Sequence, residues 1–205
     1  MAEDRTAAEL EELWAGEFGD AYVGRNPAAI PVRGPFWART LERYPARRVL
    51  EVGCANGANL HEMAHFLPPE NLWGADLNQT ALRTLGESEP LVNGVYSLAR
   101  ELPFRDRYFD LVFTVGLLIH QTDNALPIVM SEIVRCSSRW VMCGEYQADE
   151  PTDVNYRGMS GVLTKRDYGR LYAELFPELE LREELQLTKE DGFDRVTFDI
   201  FERVR

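Results

Sequence analysis

Cysteine is scarce in this chain. Its 205 residues hold three, at positions 54, 136 and 143, an odd count with no Cys-x-x-Cys spacing. That argues against a disulfide scaffold and fits a reduced, cytoplasmic setting. Positive charge is also in deficit: 22 Lys and Arg stand against 34 Asp and Glu, a net charge of −12. A chain so acidic repels a polyanion, so no nucleic-acid partner is expected, although local arginines can still hold a small anion. No run approaches the ~18 apolar residues of a membrane span, so no membrane partner is expected. Met1-Ala2-Glu3-Asp4 is acidic and no apolar stretch follows it, unlike a secretory leader. Repeats, low-complexity stretches and linkers are missing as well.

What remains is an ordinary globular composition, 45% hydrophobic and 27% charged, and one domain spanning 1–205 is expected. The N-terminal 1–44 reads as a helical flap. Residues 6–16 have helical spacing with Trp14 and Phe18 as anchors, and Gly19-Asp20 and Gly24 to Pro27 punctuate the chain. Pro35–Tyr44 is a second helix. From residue 48 strands and helices alternate, within an expected Rossmann-like core of 45–205. Strands are expected at 48–53, 72–76, 94–97, 108–115 and 138–144, with helices at 57–66, 79–86 and 123–135. Asp123 is the expected N-cap of the last. Residues 147–163 read as a polar, glycine-rich loop and Lys165–Leu175 as a helix, so 147–166 is the expected substrate loop. The tail carries two further strands, Leu179–Gln186 and Arg195–Glu202. Adjacent strands without a crossover helix pair antiparallel. The expected fold is α/β: a Rossmann-like, doubly wound, mostly parallel seven-stranded sheet ending in an antiparallel hairpin.

The most informative segment runs from Val49 to Leu60. An apolar strand ends in Glu51-Val52, then passes Gly53 and Gly57 into a helix. Glycine allows positive φ and close ligand approach, and a helix N-terminus offers free N–H groups. Glu51 suits an ammonium group better than a pyrophosphate. A second acid, Asp76, ends the next strand, where a carboxylate accepts hydrogen bonds from both ribose hydroxyls. The glycines follow Gly-x-x-x-Gly with Ala55 between them, not the dinucleotide Gly-x-Gly-x-x-Gly. The inferred cofactor is S-adenosylmethionine (SAM), cationic at its amino group and its sulfonium.

Over roughly 45–202 the chain resembles the class I SAM-dependent methyltransferases. Leu102-Pro103-Phe104-Arg105-Asp106-Arg107-Tyr108-Phe109-Asp110-Leu111-Val112 and the following Gly116-Leu117-Leu118-Ile119-His120 carry that resemblance. A narrower likeness links the opening Leu13–Tyr22 with Arg25-Asn26, Glu145-Tyr146, Tyr156-Arg157-Gly158 and Lys165-Arg166-Asp167 to the pseudaminic acid biosynthesis-associated methylases. It implies a small polar acceptor, a sugar or natural-product intermediate, methylated at O or N. Two positions depart from the superfamily: Ala55 stands where glycine is usual, and Ser97-Leu98 where many members have an acid near the adenine.

The roles follow. Glu51, Gly53, Ala55, Asn56 and Gly57 are assigned to the methionine moiety, Asp76 and Leu77 to the ribose and adenine, and Ser97 and Leu98 to the adenine's other side. Gly116 and Leu117 line the pocket near the sulfonium. His120 is the candidate general base, at the carboxyl edge of the sheet and titrating near neutrality; a loop-closing histidine is the bland alternative. Glu145 orients a substrate hydroxyl or amine, or else caps a loop. Tyr22, Arg25, Tyr156, Arg157 and Arg166 are candidate substrate residues, or solvated surface groups. Two other functions compete. His61-Glu62-Met63-Ala64-His65 matches the zinc-hydrolase pattern His-Glu-x-x-His, yet Pro68-Pro69 follows at once and no third histidine is suitably placed. The other competitor is a non-catalytic scaffold, which the Glu51/Gly53/Gly57/Asp76 set disfavours. A dehydrogenase is disfavoured by the terminal strand pair. No metal is expected.

Overall fold

The computed structural model describes residues 5–204. Three helices precede the sheet: α1 (Ala7–Ala15), α2 (Glu17–Arg25) and α3 (Gly34–Arg43). Then follow β1 (Val49–Val52), α4 (Ala58–Met63), β2 (Leu72–Asp76), α5 (Gln79–Ser88), β3 (Asn93–Tyr96) and β4 (Phe109–Val115). After them come α6 (Leu126–Cys136), β5 (Ser137–Glu145), β6 (Thr152–Tyr156), β7 (Met159–Lys165), α7 (Tyr168–Leu175), β8 (Leu179–Leu187) and β9 (Val196–Arg203). Seven strands form one sheet in the order β3-β2-β1-β4-β5-β9-β8. β9 runs antiparallel to both neighbours and the rest are parallel. This is the expected doubly wound sheet with its antiparallel terminal hairpin.

Alternation along the central strands builds two cores, one on each face of the sheet. Leu50 and Val52 of β1, with Val141 and Cys143 of β5, pack under α6 and α7. Val49, Leu111, Phe113, Trp140 and Met142 face the other way, against Phe36 and Trp37 of α3 and Leu60 and Met63 of α4. Glu51 falls among the fully buried residues of β1. Strand order reverses between β1 and β4, which opens a crevice at their carboxyl ends where ligands of such sheets gather.

Four local expectations need correction. Gly19 does not break the chain: α2 runs through it. A Cβ there would lie 1.8 Å from the Trp14 carbonyl oxygen and 2.8 Å from Asn78 Nδ2, so close packing of the flap requires the glycine. Residues 147–163 are not simply a loop but hold most of an antiparallel hairpin, β6–β7. Arg157 and Gly158 turn it with φ of 53° and 85°, the two positive values of a tight hairpin turn. Asn155 Oδ1 accepts the Gly158 N–H there. The next helix begins at Tyr168, after Asp167 accepts the Arg170 N–H as its N-cap. Finally, α6 starts at Leu126 without a side-chain cap. Asp123 is drawn instead to Arg166. No helix among the described residues is long and apolar enough to cross a membrane.

Candidate active site

The loop from β1 to α4 wraps one end of the crevice. Three of its residues take left-handed backbone: Gly53 (φ 73°), Ala55 (φ 47°) and Gly57 (φ 79°). Gly53 has no room for a side chain, since a Cβ would sit 2.8 Å from Leu117. Gly57 is tighter still, with a Cβ 2.3 Å from Leu85 of α5. The turn also aims the Ala55 amide at Asp76 Oδ2, 2.8 Å away. Asp76 Oδ1 accepts the Asn78 N–H at 2.8 Å. Each carboxylate oxygen keeps lone pairs for further donors such as a diol. Burial pushes the Asp76 carboxyl above its usual range, opposed by these backbone N–H groups.

Glu51 lies beneath this loop. Its Oε1 accepts from Asn59 Nδ2 at 2.6 Å, while Oε2 is buried with no hydrogen-bond partner. Burial raises its pKa to about 8, and the Asn59 bond and the Arg33 charge oppose that shift. Arg33 reaches the same network by donating to Asn59 Oδ1 at 2.9 Å. An orphaned buried carboxylate oxygen calls for a donor, and an ammonium group is one that would also restore its charge.

Gly53, Ala55, Asp76, Leu77, Ser97, Gly116 and Leu117 all line one pocket. Glu51, Asn56, Gly57 and Leu98 are not among its lining residues. Asn56 donates to the Asn26 carbonyl at 2.8 Å and so holds the flap. The Ser97 hydroxyl shapes its own loop, donating to the carbonyls of Leu98 and Glu101.

The flap supplies walls that the sequence reading did not assign, namely Leu10, Trp14 and Val23, together with the expected Tyr22. Asn78 pins it. Its Oδ1 caps α5 through the Ala81 N–H, and its Nδ2 donates to the Trp14 carbonyl and to Asp20 Oδ1. An asparagine between a strand-ending acid and a helix was the available signal, because that is where N-caps occur.

His120 follows β4 in a short 3-10 turn, Leu118–His120, and lines the pocket. Its Nδ1 is 2.6 Å from the Val162 carbonyl of β7. A carbonyl only accepts, so Nδ1 carries the proton and Nε2 is the basic nitrogen. Burial lowers the imidazole pKa to about 4. The ring packs 4.5 Å from Trp14 and 5.5 Å from Tyr156, centroid to centroid, joining flap, turn and hairpin.

Glu145, at the end of β5, caps this turn. Its Oε1 accepts from Thr114 Oγ1 at 3.0 Å, from Leu117 N at 3.1 Å and from Leu118 N at 3.0 Å. Oε2 accepts from Ile119 N at 3.3 Å. Its carboxylate thus shapes the loop, as the loop-capping alternative weighed for it expects. Burial still raises its pKa, to about 7.

Of the expected substrate residues, Tyr156 packs on Trp14, Phe18 and His120, and Arg166 lines an adjoining cavity. Arg25 is exposed at the end of α2 and Arg157 at the hairpin turn, and neither lines either cavity. The His-Glu-x-x-His segment is dispersed. Glu62 Oε1 accepts the Ile30 N–H, His61 Nδ1 faces Glu89, and His65 lies past the end of α4. Among the described residues no three His, Cys, Asp or Glu side chains converge as a metal site.

Residues 49–139 match a family model described as a methyltransferase domain. No curated protein matches the chain. Solved structures share its fold. A 1,6-didemethyltoxoflavin-N1-methyltransferase from Burkholderia thailandensis, with 1,6-didemethyltoxoflavin and S-adenosylhomocysteine bound, aligns at TM-score 0.71 and 16% identity, over 100% of this chain and 93% of that one. Magnesium protoporphyrin IX methyltransferase from Synechocystis aligns at 0.69 and 10%, over 97% and 100%. An amino pentose methyltransferase of calicheamicin biosynthesis from Micromonospora echinaspora aligns at 0.66 and 15%, over 92% and 97%. The matched segment, the sheet order and the Glu51–glycine turn–Asp76 arrangement agree: residues 49–139 carry a methyltransferase domain, set in the class I methyltransferase fold.

Proposed function

We propose that the enzyme methylates an O or N atom of a small polar metabolite, with His120 as general base and Tyr22, Tyr156 and Arg166 around the acceptor. The observation that carries this reading is the state of His120. Its Nδ1–H is locked onto Val162, burial keeps the ring neutral, and it stands where the cofactor pocket meets a second cavity. When bound, SAM supplies an electrophilic methyl group on a sulfonium. Glu51 would hold its ammonium group and Asp76 its ribose hydroxyls. Gly53 and Leu117, packed together, shape the wall beside them. His120 Nε2 would take the proton that the acceptor's O–H or N–H loses, and Trp14 and Tyr156 would shield the site from water.

The acidic surface favours a small-molecule acceptor over nucleic acid, and we assign the whole chain to one such domain in the cytoplasm. The amino pentose methyltransferase among the structural neighbours and the likeness to pseudaminic acid-associated methylases both support a sugar-like acceptor. The test is S-adenosylhomocysteine release in the presence of amino sugars, sugar acids and polyols, beside transfer RNA and protein. Turnover with a small molecule is expected, with kcat reduced roughly 10²-fold or more in His120→Asn. Transfer confined to RNA or protein would overturn the acceptor class. Full turnover by His120→Asn would remove the base.

A further inference from the structure

Beside the cofactor pocket lies a second cavity of about 500 Å³. Leu10, His120, Gln121 and Thr122 line both spaces, so they meet at the candidate base. The far wall comes from β7. Side chains alternate along a strand: Leu163 turns into the core, while Thr164 and then Arg166 face the cavity.

Arg166 has an unusual environment. Its side chain is only 12% exposed, and its Nε is buried with no hydrogen-bond partner. Nη2 holds the carboxylate of Asp123, whose own side chain is 81% exposed. A buried guanidinium needs a permanent partner, whereas an exposed carboxylate gains little from one ion pair and is readily exchanged. The planar fork of arginine suits a carboxylate held through two parallel N–H bonds, and the idle Nε is one member of that fork.

We propose that Arg166 anchors a carboxylate on the methyl acceptor, and that Asp123 occupies its place when no acceptor is bound. The proposal rests on the methyl-transfer reading above and names the acceptor's class. Arg5 adds a second guanidinium to the same cavity, while Asp123 and Asp153 set two carboxylates in its wall. That balance suits a monoanion and disfavours a dianionic phosphate. Arg166 lies four positions after Val162, which holds His120, a span of at most ~14 Å. The acceptor is therefore a small carboxylic acid whose methylated atom and carboxylate sit at opposite ends of one cavity.

The test titrates the protein, loaded with S-adenosylhomocysteine, with benzoate and its neutral isostere benzamide by calorimetry. Benzoate is expected to bind at least tenfold more tightly. Arg166→Gln should abolish the difference, Arg166→Lys should retain part of it, and Asp123→Asn should strengthen benzoate binding severalfold by removing the internal competitor. Thermal melts and S-adenosylhomocysteine affinity, measured on the same samples, show that each variant is folded. Equal binding of the two probes, or a preference surviving in Arg166→Gln, would overturn the carboxylate anchor and leave the methyltransferase reading intact. Failure of the wild type to bind S-adenosylhomocysteine would instead sink that underlying reading.

Discussion

Ala55 donates its backbone N–H to Asp76 Oδ2 at 2.8 Å while holding a left-handed φ of 47°. The contact joins the glycine turn after β1 to the acid that ends β2, so one strained residue sets the distance between two pocket-lining elements. Left-handed backbone costs an L-residue about 1–2 kcal/mol. Glycine removes that strain but adds roughly 0.4–1 kcal/mol of unfolded-state freedom. Ala55→Gly is therefore expected to be neutral or stabilising by up to ~1 kcal/mol, with S-adenosylhomocysteine affinity retained. Ala55→Val, β-branched and intolerant of positive φ, should lower both. Thermal melts and calorimetry decide it, and a clear loss of stability in Ala55→Gly would contradict the strain argument.

Glu51 sets stability against binding. Its folded pKa is raised to about 8 by burial, whereas an unfolded glutamate titrates near 4.3. A raised carboxyl pKa means that the folded state favours the neutral acid. Its contribution is fully present below the unfolded value and is lost as pH rises through 8. Glu51→Gln should thus raise the melting temperature of the ligand-free protein at pH 8 and do little at pH 4. The same change removes the charged partner for an ammonium group and should weaken S-adenosylhomocysteine binding about tenfold or more. A variant that lost stability at pH 8 and kept full affinity would refute both halves.

Glu145 gathers three backbone N–H groups and the Thr114 hydroxyl. Truncation leaves buried donors unpaired, at roughly 1–3 kcal/mol for each group that water cannot reach. Glu145→Ala is expected to destabilise the fold by about 3 kcal/mol. It should also loosen Leu117 and His120 together, lowering cofactor affinity and turnover. Denaturant unfolding gives the first quantity and calorimetry the second. A change in kcat alone, at unaltered stability, would return Glu145 to a catalytic role.

His120 makes a prediction about acid pH. Its folded pKa is lowered to about 4, against ~6.5 unfolded, so the folded state resists protonation. Stability linked to this group is complete above pH 6.5 and is lost as pH falls towards 4. A base limb in kcat/KM should accordingly appear near pH 4 rather than near 6.5, measured at saturating cofactor and over the range where the enzyme stays folded. A limb at 6.5 that disappears in His120→Asn would show the ring to be solvated.

The sheet was legible from local chemistry. The central strands are largely apolar, because strands covered on both faces need apolar residues on both, and the boundaries fall within a residue or two of those expected. The hairpin β8–β9 was legible too, since two strands without a helix between them have one way to pair. That Gly53, Ala55, Asp76 and Leu117 line one pocket was legible because a β-strand followed by a tight turn places its loop at the sheet's carboxyl edge. Long-range pairings left no such local mark. Nothing around Glu145 announces that four donors converge on it from β4 and the following turn, and nothing around Asp123 shows that Arg166, 43 residues away, outcompetes the helix for its carboxylate. Gly19 looks like a breaker until Asn78 and the Trp14 carbonyl are seen against it. Secondary structure and the cofactor loop are short-range properties that residue spacing records. Which buried polar groups find each other, and hence which acid caps a loop and which arginine waits for a ligand, is settled only when distant segments pack.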